Sequence, residues 1–251
     1  MEAEKIVTAC VLIIGNEILS GRTQDVNLNY LAKGLNAAGI RLTEARIIPD
    51  LPDVIVATVN EVRAKFRYVF TTGGIGPTHD DITSECVARA FGVPLVPHPE
   101  ARRILEAHYR ERGLEFNAAR QRMAQVPEGA ELVFNPISRA PGFRIGNVFV
   151  MAGVPQVMQA MFESLVGTLE GGRPVLSRTI SCGLAEGALA AGLGAIQSRY
   201  PDVDIGSYPW YRRGAYGVSL ALRSPEAGRL AAAGDEVAAL VRTLGGTPIE
   251  E

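Results

Sequence analysis

The chain opens with an unbroken apolar stretch, Ile6 to Ile14, rich in β-branched residues and closed by Gly15. Such a run predicts a strand buried on both faces, as in a parallel sheet. After a polar stretch from Asn16 to Asn27, Leu28, Leu31, Leu35 and Ala38 recur at helical spacing, with Gly39 as the stop. Ile40 to Ile48 reads as a second strand ending at Pro49-Asp50, and Val54 to Phe66 as a helix. Tyr68 to Thr71 makes a short third strand that runs into Gly73-Gly74-Ile75-Gly76-Pro77. A helix from about Ile82 to Phe91, stopped by Gly92, completes a strand-helix alternation. That order predicts a mostly parallel sheet in a three-layer α/β/α unit.

The middle of the chain is less regular. Pro99 to Arg112 reads as a charged helix and Asn117 to Gln125 as a short one; Glu131 to Phe134, Gly142 to Ile145 and Val148 to Met151 read as short strands. Pro155 to Leu169 is amphipathic, with proline in its first turn. Gly171-Gly172-Arg173-Pro174 is the best linker candidate and divides the chain into domains at 1–171 and 172–251. Beyond it a strand (Ser177 to Cys182), a helix (Ala185 to Arg199), two strands (Val203 to Tyr208, Ala215 to Leu222) and a helix (Pro225 to Leu244) predict a small βαββα unit of the α+β class.

Composition narrows the function. Among 251 residues, 25 basic and 27 acidic ones give a net charge of -2, which argues against a protein that coats nucleic acid. Of the basic residues only Lys5, Lys33 and Lys65 are lysine. Arginine favours bidentate phosphate contacts, although a GC-rich genome explains the bias more simply. Cys10, Cys86 and Cys182 lie far apart and form no CxxC, so neither a disulfide framework nor a zinc site is expected, and a reduced, cytoplasmic setting is. No apolar run approaches the roughly 20 residues of a membrane helix, and the N-terminus carries no signal-peptide pattern.

The chemistry concentrates in Thr71-Thr72-Gly73-Gly74-Ile75-Gly76-Pro77-Thr78-His79-Asp80-Asp81-Ile82-Thr83. A glycine-rich turn between a buried strand and a helix can aim backbone N–H groups at one phosphate. It is neither a P-loop nor a GxGxxG fingerprint. The plainer alternative is a turn whose Asp80 or Asp81 caps the next helix. Acids end all three strands: Glu17 after the first, Asp50 after the second, Asp80 and Asp81 after the third. In an open parallel sheet those ends form the ligand crevice. Four acids beside a phosphate nest suit a divalent cation such as Mg²⁺. Together they point to a metal-assisted site for a phosphorylated small molecule.

These motifs, with Gly15-Asn16-Glu17-Ile18-Leu19 and the run to Asn27, Ile47-Ile48-Pro49-Asp50, and Met151-Ala152-Gly153-Val154-Pro155, resemble the MoaB/Mog-type molybdopterin-binding domain. The form is that of the N-terminal region of the competence/damage-inducible protein A family. Ile205 to Trp210 resembles the KH-like or ferredoxin-like second domain of those proteins; the amidase domain that often accompanies them is not expected, nor the deamidation it performs. The resemblance implies one of two activities: a metal-dependent pyrophosphatase for ADP-ribose, FAD or a related dinucleotide, or a protein that binds or adenylates molybdopterin. A non-catalytic nucleotide-binding module is the third reading. By motif position it implies Asp81, Asp50 and Asp80 as catalytic residues. Ligand contacts would come from Gly73, Gly74, Gly76, Thr78, Asn27, Pro141 and Gly153. The metal (Mg²⁺, Mn²⁺ or Co²⁺) would be held by Asp81, Asp50 and Glu17. A homo-oligomer with a small-molecule dinucleotide or pterin ligand, and no nucleic-acid partner, is expected.

Several residues remain open. His79 is expected to donate a hydrogen bond within its loop, and His98 and His108 to lie at the surface. Arg139, in the tight segment Ser138 to Gly142, could meet a phosphate. In the second domain Tyr208, Trp210, Tyr211, Arg212 and Arg213 could grip an adenine or another protein surface. Gly183 to Gly187 lacks the GxxG spacing of an RNA clamp.

Overall fold

A computed structural model describes residues 6–212 and 214–251, with Arg212 described in its backbone alone. Two compact units divide between Gly172 and Arg173.

The first unit is built on a six-stranded sheet. Its strands are β1 (Val7–Ile14), β2 (Ile40–Ile48), β3 (Tyr68–Thr72), β6 (Glu131–Val133), β7 (Gly142–Ile145) and β8 (Val148–Met151), in the order β2-β1-β3-β8-β7-β6. β2, β1, β3 and β8 run parallel, while β7 and β6 return antiparallel at one edge. Alternation along β1 shows why its whole sequence is apolar. Val7, Ala9, Val11 and Ile13 enter one core layer; Cys10, Leu12 and Ile14 enter the other. The first layer is closed by α2 (Asn27–Ala37) and α7 (Pro155–Val166) through Leu31, Leu35, Met158 and Phe162. The second is closed by α3 (Pro52–Lys65) and α4 (Thr83–Phe91) through Ile55, Val59, Val62 and Val87. The three-layer expectation therefore holds.

The polar stretch after β1 contains one turn of helix, α1 (Asn16–Leu19). The middle forms a satellite that sequence periodicity only half revealed. α5 (Pro99–Glu111) and α6 (Ala118–Arg122) stand between the strands β4 (Leu95–Pro97) and β5 (Gln125–Pro127), which pair antiparallel in a sheet of their own. Both strands are three residues long and contain proline, too short for a period to register.

In the second unit, β9 (Leu176–Cys182), α8 (Glu186–Arg199), β10 (Asp204–Arg212), β11 (Ala215–Ser224), α9 (Ala227–Thr243) and β12 (Ile249–Glu250) give βαββαβ, one strand more than expected. The sheet order is β10-β11-β9-β12, all antiparallel, and two helices cover one face. Val218, Leu220 and Leu222 of β11 point to Leu193, Ile196, Val237 and Val241 of those helices. β12 has only two residues, and both are exposed, so no hydrophobic signal marks it.

Candidate functional site

From β1 the chain moves to β2 on one side, then crosses to β3 on the other. The carboxyl ends of β1 and β3 are thus the switch point at which open α/β sheets bind ligands. The turn after β3 is pressed into that point. The Gly73 N–H donates to the Met151 carbonyl at 3.1 Å, and its φ of 104° with a Cβ position overlapping the Ile14 carbonyl oxygen admits no side chain. Gly74 also has positive φ, 68°, and lies against the Thr83 hydroxyl, while its carbonyl accepts the Thr83 N–H at 3.0 Å.

That last bond corrects the sequence reading of the helix start. α4 begins at Thr83 with Ile82 as N-cap, and neither Asp80 nor Asp81 caps it. Asp81 instead closes the turn: its Oδ2 accepts from the Thr78 backbone N–H at 2.8 Å and the Thr78 hydroxyl at 2.6 Å. Gly76 lies beneath that carboxylate; a Cβ there would come within 2.6 Å of Oδ2. Asp80 faces solvent, its carboxyl held below the usual range first by the Thr78 hydroxyl, then by a backbone N–H and by His79. The His79 side chain is almost fully exposed, 4.0 Å from Asp80, and among the described residues it donates no hydrogen bond within the loop, contrary to expectation. Arg122 donates to the Asp81 carbonyl at 3.4 Å, a link from α6 that no motif signalled.

The other predicted acids are tied locally as well. Asp50 Oδ2 accepts the Asn16 N–H at 2.8 Å and so fastens the end of β2 to α1. Glu17 folds back over Gly15, where a Cβ would come within 2.5 Å of its carboxylate. Among the described residues, no three His, Cys, Asp or Glu side chains stand close enough to hold a metal ion. The crowd of four mutually repelling acids is therefore not what the structure displays. What it offers are separate hard-oxygen donors that follow the carboxyl ends of β1, β2 and β3. That donor set fits a Mg²⁺-like ion held by one or two carboxylates plus a ligand's own phosphates.

Asn27 is the predicted ligand contact that the structure marks best. It is 5% exposed, and its Nδ2 donates to the Gly153 carbonyl at 2.8 Å. Gly153 in turn packs on Gly73, so α2, β3 and β8 meet there. Among the described residues the Asn27 Oδ1 is buried without a partner, as are Asp25 Oδ1, Thr71 Oγ1 and Thr83 Oγ1. A buried acceptor left so costs about 1–3 kcal/mol unless water or a ligand meets it. Thr83 lies against Gly74 and Asn27 against Gly153; Thr71 lies in β3 two residues before Gly73, and Asp25 accepts the Leu28 N–H at the start of α2. Thr71, Thr83 and Asp25 were missed as site residues, although a threonine ending an apolar strand is a readable oddity. Pro141 is buried at the entry to β7.

His98 is half-buried and caps α5, its Nδ1 accepting the Ala101 N–H at 3.4 Å, and His108 is also half-buried, so neither is the plain surface residue expected. Arg213 and the side chain of Arg212 lie outside the described residues. Tyr208 and Tyr211 are exposed on the β10–β11 hairpin.

Residues 10–176 match the family model described as "Probable molybdopterin binding domain". The chain belongs to the MoaB/Mog-type molybdopterin-binding domain family. Residues 174–244 match a second model, the middle domain of FAD synthase. A protein of Archaeoglobus fulgidus is 36% identical over 199 residues, 79% of this chain and 84% of that one. A CinA-like protein of Desulfosudis oleivorans is 37% identical across 78% of this chain but 52% of its own length, so this chain spans about half of that relative. The crystal structure of CinA, a protein of unknown function from Thermoplasma acidophilum, aligns with a TM-score of 0.60 at 28% identity. That alignment covers 65% of this chain and 98% of the other. Within the family, the chain thus sides with the CinA-like proteins.

Proposed function

We propose that the first unit binds a dinucleotide such as ADP-ribose or FAD across the β1–β3 switch point and hydrolyses its pyrophosphate bond. The observation that carries this reading is the Gly73–Asp81 turn, an acid-bearing loop locked at the point where buried acceptors wait without partners. The match of residues 174–244 to the FAD synthase middle domain favours a dinucleotide over a pterin. Asn27 Oδ1 and the two threonine hydroxyls, buried next to the turn, are acceptors that a ligand's sugar or base, or a water it brings, would satisfy. Backbone N–H groups of the Gly74–Gly76 segment would meet developing phosphate charge, an effect typically worth about 3 kcal/mol per donor. Asp81, with Oδ2 fixed by Thr78, turns Oδ1 to the attacking water and takes its proton. Water adds to one phosphorus, the bridging P–O bond breaks, and AMP leaves with the second monophosphate. One or two of the candidate carboxylates Asp81, Asp50 and Glu17, together with the ligand's own phosphates, would hold Mg²⁺, Mn²⁺ or Co²⁺, which when bound would supply charge neutralisation at the phosphates.

The test is a hydrolysis screen of ADP-ribose and FAD with each metal. AMP release is expected, and Asp81→Asn should lower it by about 100-fold or more, as loss of a general base does. No cleavage of either dinucleotide with any metal would sink the proposal. The family match favours one alternative, a pterin ligand in the same crevice. Molybdopterin fluorescence retained by the purified protein, with no dinucleotide affinity, would establish it.

A further inference from the structure

One cluster of cations lies on residues that the hydrolase reading does not use. α5 carries buried Ala101 and Leu105 on one face, and at helical spacing His108 and Arg112 continue that face to its end. Against the same face packs Ala140, which places its neighbour Arg139 beside it. Arg139 is, among the described residues, the one non-glycine residue with left-handed backbone, φ 63°. Such a conformation persists in a non-glycine residue only where its surroundings over-determine it. Here Asn135, 1% exposed, does so. Its Oδ1 accepts the Ile137 and Ser138 N–H groups, and its Nδ2 donates to the Ser138 hydroxyl and the Ala140 carbonyl. The loop is thus built to hold an arginine where glycine would be easier.

The local charge balance is one-sided. On α5, Glu100 is paired with Arg103 and Glu106 with Arg110. Among the described residues neither Arg112 nor Arg139 bonds to a carboxylate. His108 feels the result: burial first, then Arg112, then Arg139 push its imidazole below the ordinary range, against Glu111 alone. Two exposed guanidinium groups beside a half-buried imidazole suit a tetrahedral dianion, which takes charge-assisted bonds from all three.

We propose that His108, Arg112 and Arg139 form an anion site for a phosphate group, separate in its residues from the Gly73–Asp81 turn. The phosphate is either free or the terminal group of a nucleotide monophosphate. Binding needs no hydrolysis, so the proposal stands or falls independently of the pyrophosphatase reading.

The decisive variants are Arg139→Gly, which suits the left-handed backbone, and Arg112→Gln. Inorganic phosphate and AMP are titrated separately into the full chain without added metal. The histidine resonances are followed by NMR, with His108→Gln assigning the His108 signal, and thermal unfolding is followed in parallel. Inorganic phosphate should shift the His108 signal, leave His79 unmoved and raise the unfolding temperature. Either arginine variant should weaken phosphate at least tenfold, while Arg139→Gly unfolds no earlier than wild type in the absence of phosphate. Asp81→Asn should bind as wild type does. AMP acting on His108 with the same dependence on Arg139 identifies the nucleotide as the source; an effect of inorganic phosphate alone identifies the free ion. Unchanged phosphate affinity in Arg139→Gly, or a response at His79 without one at His108, would overturn the assignment.

Discussion

Four buried side-chain oxygens of the first unit (Asp25 Oδ1, Asn27 Oδ1, Thr71 Oγ1 and Thr83 Oγ1) have no partner among the described residues. The second unit closes its polar groups on one another. Ser181 and Ser219 hydroxyls meet at 2.7 Å, and Ser181 also donates to Glu251. Gln197 spans the turn after α8, donating to the Tyr200 and Val203 carbonyls and accepting the Ile205 N–H. Native interiors satisfy nearly all such groups, so unmet ones concentrated in one unit require a reason. On the proposed reading the first unit keeps hydrogen-bonding capacity in reserve for a ligand, whereas the second unit's Ser181, Ser219 and Gln197 bond within its own sheet and helices.

Glycine offers the strongest way to break that comparison. Gly73 sits at φ 104° against a backbone carbonyl, whereas Gly194 lies exposed within α8 with open space where a Cβ would go. Gly73→Ala should destabilise the first unit by about 3 kcal/mol or more, because neither the dihedral nor the carbonyl can yield cheaply. Gly194→Ala should stabilise the second by about 0.5–1 kcal/mol, since alanine restricts the unfolded chain and favours helix. Urea unfolding of each variant reads both. Equal small effects would mean that the β3 turn is no tighter than an ordinary helix surface.

How far the sequence speaks follows the same contrast. β1, β3 and β8 were legible because a strand buried on both faces must be apolar throughout, and glycines had to follow where the chain turns against a neighbouring strand. The crevice acids were legible by position, since each ends a parallel strand. Their hydrogen bonds were not. Asp81 was open to a reading as a helix cap, but the helix starts two residues later and Thr78 takes the carboxylate. Asn135, which organises the Arg139 loop, gives no periodic signal, because its work lies in four bonds to residues two to five positions on. β4, β5 and β12 were silent for a simpler reason: two or three residues cannot display a period.

A smaller effect separates structural from reserved hydrogen bonds. Ser181→Ala removes bonds to Ser219 and Glu251 from a site 4% exposed, and should cost about 1–2 kcal/mol. Asn27→Ala loses one bond to Gly153 but also deletes an unmet acceptor, so its net cost should stay below about 1 kcal/mol. Its effect should appear in ligand affinity instead, as at least a tenfold loss for ADP-ribose, about 1.4 kcal/mol. Calorimetric titration beside urea unfolding distinguishes the two. If Asn27→Ala destabilises as much as Ser181→Ala and leaves dinucleotide affinity untouched, the idea of a reserve is wrong.

The smallest expected effect concerns how the second unit's last strand responds to acid. Arg178 donates to both carboxylate oxygens of Glu250 (3.2 and 2.6 Å), to Asp235 at 2.9 Å and to the Ala231 carbonyl at 2.9 Å, joining β9, β12 and α9. The guanidinium holds the Glu250 carboxyl below its ordinary 4.5, while Asp235 acts weakly the other way. A carboxyl lowered in the folded state stabilises at pH above its unfolded value, and that contribution fades as pH falls through the folded one. Glu250 is more than half exposed, so solvent weakens the pair, and global unfolding should barely respond. Local opening should respond more. Amide exchange at Glu251, whose N–H donates to the Thr179 carbonyl at 3.1 Å, reports on the β12 edge, and its protection should fall below pH 4.5. Arg178→Met should abolish that pH dependence by removing the partner. The crevice end of the first unit, where the bond from Asn27 to Gly153 carries no titratable group, should keep its Asn27 side-chain protection over the same range.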